Sequence, residues 1–158
     1  MIIKTIILHH SASDQNKTTI ADIEAWHKLR WPGFISSLGW HIGYHFIITS
    51  SGKITQTRRE NEIGAHAIPN EGRLGICLTG NFLTEYPTPE QLNSLGQLLE
   101  RLKKDYGLTD EQIKGHLEVS QTLCPGDNFM LWLEKYRQVS RLKKMIEAIK
   151  RLIEALRR

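Results

Sequence analysis

Cysteine is scarce in this 158-residue chain, which holds only Cys77 and Cys124. Two cysteines cannot make a disulfide framework, and so few suit synthesis in a reducing compartment. Long apolar runs are missing too. None approaches the roughly 18 residues of a membrane-spanning helix, and Met1 to Thr5 offers no basic segment leading into an apolar one. An integral membrane helix is thereby excluded, and synthesis in the cytosol is expected. There is no internal repeat, low-complexity tract, Gly-rich phosphate loop or HExxH pair, which removes solenoids and P-loop enzymes from consideration. Excess positive charge is also absent from most of the chain. Of 21 Lys/Arg and 17 Asp/Glu, residues 141–158 carry seven and two, leaving 14 and 15 elsewhere, a net of −1 for residues 1–140 against +5 for the tail. The pI of about 9.1 therefore belongs to the tail, and no nucleic-acid partner is expected.

What is present is 40% hydrophobic and 24% charged, ordinary for one globular domain with a real core. Ile3 to Leu8 reads as a buried strand rich in β-branched residues. Thr18 or Thr19 can cap a helix reaching about Arg30, with Ile20, Ile23 and His27 on one face and Trp26 and His27 expected to pack it on a sheet. Trp31 to Gly39 is a loop whose aromatic residues, Trp31 and Phe34, suit stacking on sugar faces or anchoring of the loop itself. Tyr44 to Thr49 and Lys53 to Thr57 flank Ser50-Ser51-Gly52, a hairpin signature. Leu74 to Leu78 is another buried strand, in which Cys77 reads as a small core hydrophobe. Thr88-Pro89-Glu90-Gln91 is a capping box for a helix to about Tyr106 with Leu92, Leu95, Leu99 and Leu102 inward, and Ile113 to Gly115 reads as a brief strand. Strands alternating with helices predict an α/β layer structure with a mixed sheet.

The chemistry gathers in Gly115-His116-Leu117-Glu118-Val119-Ser120-Gln121-Thr122-Leu123-Cys124-Pro125-Gly126-Asp127. An imidazole and a thiolate are ligands that zinc prefers, and three protein ligands plus an open position make a catalytic site. The best third ligand lies at the exit of the first strand, in His9-His10. Adjacent strand residues point to opposite faces, so one of the two ligates and the other packs.

Four ordered segments sharpen this reading: Ile7-Leu8-His9-His10-Ser11-Ala12, Gly43-Tyr44-His45-Phe46-Ile47-Ile48, Gly64-Ala65-His66-Ala67 with Leu74-Gly75-Ile76-Cys77-Leu78-Thr79-Gly80, and the stretch at 115–127. Over about residues 3–135 they resemble the zinc-dependent N-acetylmuramoyl-L-alanine amidases of the amidase-2 family, especially the short phage lysozyme-amidases, and more distantly the peptidoglycan recognition proteins. The resemblance implies a central mixed β-sheet flanked by helices, with Zn2+ held by His9, His116 and Cys124 at the floor of a groove. It places a catalytic tyrosine at Tyr44, a groove-lining residue at His66, and Thr122 at a position where many phage enzymes carry lysine. Threonine brings no positive charge, but its hydroxyl can donate to an oxyanion. The implied function is peptidoglycan hydrolysis by an endolysin. It would cut the amide between N-acetylmuramic acid and the L-alanine of the stem peptide, with the protein made in the host bacterial cytoplasm before release to the cell wall. Hydrolysing an amide needs a good nucleophile and a counter-charge for the oxyanion, and zinc supplies both. His66, Trp31 and Phe34 are the candidate substrate contacts. Two other functions compete: a catalytically silent peptidoglycan-binding module, against which the intact ligand set argues, and a regulator of phage RNA polymerase, which no motif here addresses.

The resemblance stops at about residue 135, and we divide the chain into a zinc amidase domain at 1–138 and a cationic amphipathic helix at 139–158. Leu142, Ile146, Ile149, Ile153 and Leu156 recur at helical spacing, broadened by Met145 and Leu152, opposite a basic face. Such a helix fits packing on the domain, self-association, or contact with an anionic membrane or lipopolysaccharide.

Overall fold

A computed structural model describes residues 1–157. Five strands form one sheet: β1 (Thr5–His10), β2 (Phe46–Ile48), β3 (Ile54–Gln56), β4 (Arg73–Leu78) and β5 (Ile113–Gly115), in the spatial order β3-β2-β4-β1-β5. β1 runs parallel to both β4 and β5, β2 runs parallel to β4, and β2 pairs antiparallel with β3. The sheet is therefore mixed, as expected. Three helices accompany it: α1 (Ile20–Arg30), α2 (Pro89–Tyr106) and α3 (Asp127–Leu156).

Alternation along the strands sorts the two faces of the sheet. Ile6, Leu8, Ile48, Leu74, Ile76 and Leu78 enter the larger core, which α2 closes with Leu95, Leu99 and Leu102, and α3 with Phe129 and Leu133. Ile47 and Cys77 face the other way, into a smaller core with Ile23 of α1 and Ile42. Helices cover both faces, so parallel strands buried on each side are satisfied.

The capping box expected at Thr88 forms, and of Thr18 and Thr19 it is Thr19 that caps α1, also in a capping box. The Thr19 side chain accepts from Asp22 N and the Thr88 side chain from Gln91 N, and each partner side chain reciprocates. Gln91 also works at long range: fully buried, its Nε2 donates to the carbonyls of Ile48 at 3.2 Å and Thr79 at 2.8 Å. The start of α2 is thereby fastened to the carboxyl ends of β2 and β4.

Three readings change. β1 runs on to His10, because His9 and His10 pair with Cys77 and Leu78 of β4. Trp26 does not pack on the sheet; it is 46% exposed, and Ile23 is the fully buried residue of α1. Adjacent residues on a helix point about 100° apart, so with His27 turned inward Trp26 is turned out. The helix of the tail is no separate rod, since α3 begins at Asp127 and runs unbroken for 30 residues. Its first half packs through Phe129 and Leu133, with Met130, Trp132 and Tyr136 partly buried beside them. Gly126 precedes it with φ 93°, and a Cβ there would meet the Phe82 backbone at 2.4 Å, so that turn requires glycine.

Candidate metal centre and cleft

The site forms at the carboxyl edge of the parallel strands, where open α/β sheets commonly bind ligands. β1 and β5 are neighbours, with Leu8 opposite Gly115. The next residue of each strand's path, His9 and His116, therefore stand together with ring centroids 4.5 Å apart. Beyond His116 a short 3-10 turn ending at Glu118 reverses the chain, and Leu117 N donates to the Cys124 carbonyl at 2.7 Å. That bond returns Cys124 to the two histidines. Glu118 serves the same loop: it accepts from Gly115 N at 2.7 Å and pairs with Arg137 of α3 at 2.9 Å.

The ligand atoms of His9, His116 and Cys124 all lie within 4.8 Å of one another. With Zn–S near 2.3 Å and Zn–N near 2.0–2.1 Å, a tetrahedral S···N edge is about 3.6 Å, and Cys124 Sγ lies 3.7 Å from His9 Nδ1. The three residues fit a zinc ion. Burial, and then the mutual proximity of the histidines, holds His9 well below the usual imidazole range. Burial, and then Arg73, lowers His116. Both rings are neutral, the form that ligates. Burial pushes the Cys124 thiol up to about 11, opposed by the His10 backbone N–H that donates to its sulfur at 3.4 Å. The His10 side chain turns away, its Nδ1 accepting from Phe82 N at 3.1 Å.

Behind His9 stands His66, with His9 Nε2 3.1 Å from His66 Nδ1. With Nδ1 of His9 facing the sulfur as the ligand atom, the proton lies on Nε2 and the bond runs from His9 to His66. His66 is itself pinned. Its backbone N donates to Asn70 Oδ1 at 2.9 Å, and its ring lies so close to Gly75 of β4 that a Cβ there would meet it at 2.6 Å. His66 Nε2 is buried without a protein partner. His45 takes a structural place, Nε2 donating to the Glu62 carbonyl at 2.9 Å and Nδ1 accepting from Gly75 N at 3.0 Å.

Above these groups opens a cleft of about 740 Å³. His9, Tyr44, His66, His116, Thr122 and Cys124 all line it, and so does Trp31. Phe34 does not; its ring lies under the Arg58 guanidinium, 4.0 Å from the centroid, which is the anchoring alternative for that loop. The Tyr44 ring sits 5.0 Å from that of His9. Burial, followed by the Cys77 and Cys124 thiols, raises its hydroxyl well above the phenol range, so it stays a donor. Thr122 Oγ1 accepts from Cys124 N at 3.2 Å, which leaves its own proton free to donate.

Sequence reasoning did not assign His27, Arg30, Asn70 or Leu123 to this cleft. Leu123, 70% exposed between Thr122 and Cys124, carried one usable signal, a large apolar residue within a polar loop. His27 reads as packing on α1, and only the fold shows its Nδ1 accepting from Gly43 N at 3.0 Å beside Tyr44.

The sheet order, the three-residue ligand set and the cleft together define a class, and sequence comparison agrees. The profile of the amidase-2 family, described as N-acetylmuramoyl-L-alanine amidase, matches residues 1–127, and the chain belongs to this family. It is 32% identical over 144 residues to an endolysin of Escherichia phage T7, covering 85% of this chain and 88% of that protein. It is 36% identical over 97 residues to the peptidoglycan-recognition protein SD of Drosophila simulans, across 60% of this chain and about half (52%) of that longer protein. Among solved structures, an N-acetylmuramoyl-L-alanine amidase from Clostridium intestinale superposes with TM-score 0.69 at 39% identity, covering 80% of this chain and 78% of its own.

Proposed function

We propose that this protein is a peptidoglycan hydrolase of the endolysin type. It cleaves the amide between N-acetylmuramic acid and the L-alanine of the stem peptide, using zinc held by His9, His116 and Cys124. The observation that carries this reading is the convergence of those three ligand atoms within 4.8 Å at the base of a cleft that also presents Tyr44 and Thr122. Zinc, when bound, acidifies water and polarises a carbonyl. The chain's own groups do the rest. The His10 N–H donates to the cysteine sulfur, the His66 ring fixes the orientation of His9, and the hydroxyls of Tyr44 and Thr122 aim donors at the charge that develops on the scissile carbonyl oxygen. Trp31 offers a flat ring at the rim for a sugar or peptide face. We assign this activity to residues 1–138 and a separate task to the remainder of α3. Synthesis in the host cytoplasm and release to the wall belong to the same reading, as the likeness to a phage endolysin suggests.

The test is mass analysis of purified peptidoglycan after digestion. Free stem peptides beginning with L-alanine, and glycan strands left uncut, are expected. Cys124→Ser is expected to lose bound zinc and product together, because two ligands hold the ion far more weakly than three. Sugar fragments would indicate a glycosidase, and unaltered peptidoglycan that nevertheless retains the protein would indicate a silent binding module.

A further inference from the structure

From Arg141 to its end at Leu156 every residue of α3 is exposed, as is Arg157 beyond it, whereas Ser140 is still partly covered. The distal part of the helix therefore leaves the body, extending about 24 Å at 1.5 Å per residue. Its root is fixed by Asp110, which pairs with Lys144 at 2.9 Å and accepts from Ser140 Oγ at 2.6 Å. Beyond that root the large apolar residues have nothing over them; Met145 is 59% exposed, Ile149 53% and Leu152 61%.

The arrangement of charge around this bare stripe is more specific than its net value. Placed at about 100° per residue, the seven large apolar residues from Leu142 to Leu156 fill an arc of roughly 120°. Lys143, Lys150 and Arg157 border the arc on one side, and Arg141 stands on the other. Glu147 and Glu154 lie on the polar face away from the stripe, together with Lys144 and Arg151, and Glu147 lies 3.5 Å from Lys150. Two copies paired antiparallel along the stripe would set Lys143, Lys150 and Arg157 of one against the same residues of the other, where a pairing helix alternates sign. A layer with an apolar interior and an anionic rim meets every part of the pattern. Isoleucine and leucine enter it, border lysines and arginines reach its phosphates with their stems along the apolar boundary, and the acids face water. Among the described residues no helix is long and apolar enough to cross a membrane, which suits lying on a surface.

We infer that residues 141–157 form a docking helix for an anionic phospholipid bilayer, lying in the headgroup boundary and tethering the cleft to the membrane surface. The experiment uses the full chain and sedimentation with unilamellar vesicles of phosphatidylglycerol and phosphatidylethanolamine, or of phosphatidylcholine alone. Binding to the anionic vesicles is expected, weakened by salt, with little binding to phosphatidylcholine. Lys143→Gln with Lys150→Gln is expected to weaken partitioning about 25-fold, about fivefold per border cation. Ile149→Asn with Ile153→Asn leaves the charge unchanged and is expected to lose binding as well, whereas Glu147→Gln is expected to keep it. All five substitutions lie on exposed positions away from the cleft, and unchanged circular dichroism is expected to show that each variant is folded. Equal binding to phosphatidylcholine, or full binding by the Ile149/Ile153 variant, would overturn the inference. So would a stripe-dependent dimer in sedimentation equilibrium, or capture of duplex DNA, without vesicle binding.

Discussion

Tyr44 is a donor that keeps its proton, because burial and two neighbouring thiols lift its hydroxyl above the phenol range. Removing that donor in Tyr44→Phe is expected to leave zinc content and folding intact while lowering turnover about 10²-fold, the scale of one lost oxyanion contact. An unchanged rate would make Tyr44 a packing residue. His66 acts one step further back, as a positioning residue that accepts from the His9 ring. His66→Leu is expected to weaken zinc binding roughly 10–100-fold in chelator competition, and His66→Gln, which restores an acceptor, to recover part of the loss. Equal affinity in both variants would show that the ring orients nothing. The neutral histidines and the high thiol have one cause in common: the strand ends are dry, so every charged form is penalised unless a cation arrives.

At the scale of elements, one carboxylate fastens the middle of α3 where it leaves the body. Asp110 is 1% exposed and carries bonds from Lys103 at 2.8 Å, Ser140 and Lys144. Burial alone would raise its pKa, but those three donors outweigh it and hold the carboxyl well below the usual range. A depressed folded value stabilises the protein fully above the unfolded pKa near 3.9 and ceases to do so as pH falls toward the folded value. Asp110→Asn is therefore expected to cost about 2–3 kcal/mol near neutrality, below the largest effects of broken buried pairs because Lys144 is 61% exposed and can return to water. The difference from the parent protein is expected to shrink below about pH 4. Urea unfolding at several pH values measures this, and a pH-independent difference would show that charge is not the cause.

For the molecule as a whole, the proposed metal centre joins β1 to the loop that follows β5, while the larger core closes without it. Zinc removal is expected to leave a folded protein with a lower melting temperature. Saturation at a hundred times Kd is worth about 2.7 kcal/mol, or roughly 5–10 °C for a chain of this size. Calorimetry with and without chelator checks this, and coincident transitions would contradict a folded-state metal site. Much of this architecture was readable in advance, because its signals are local. The Thr19 and Thr88 caps reach three residues and the buried strands announce themselves by composition, while His9, His116, Cys124, Tyr44, Thr122 and His66 were indicated by the family resemblance that the four ordered segments carry. Other features depended on neighbours distant in sequence. The start of α3 follows Gly126, which offers no side-chain cap, so nothing local marked it. That Trp26 turns out and that Phe34 lies under Arg58 depend on packing, while the His10 backbone reaching the cysteine and His66 standing behind His9 depend on the order β3-β2-β4-β1-β5. Sequence by itself determined which residues were chemically equipped and which segments were helix or strand, since those follow from side-chain type and short-range spacing. Tertiary structure alone decided how the histidines stand to one another, with His66 behind His9 and His27 beside Tyr44 at the same cleft, because parallel pairing across long crossovers sets strand neighbours, and no local interaction encodes that order.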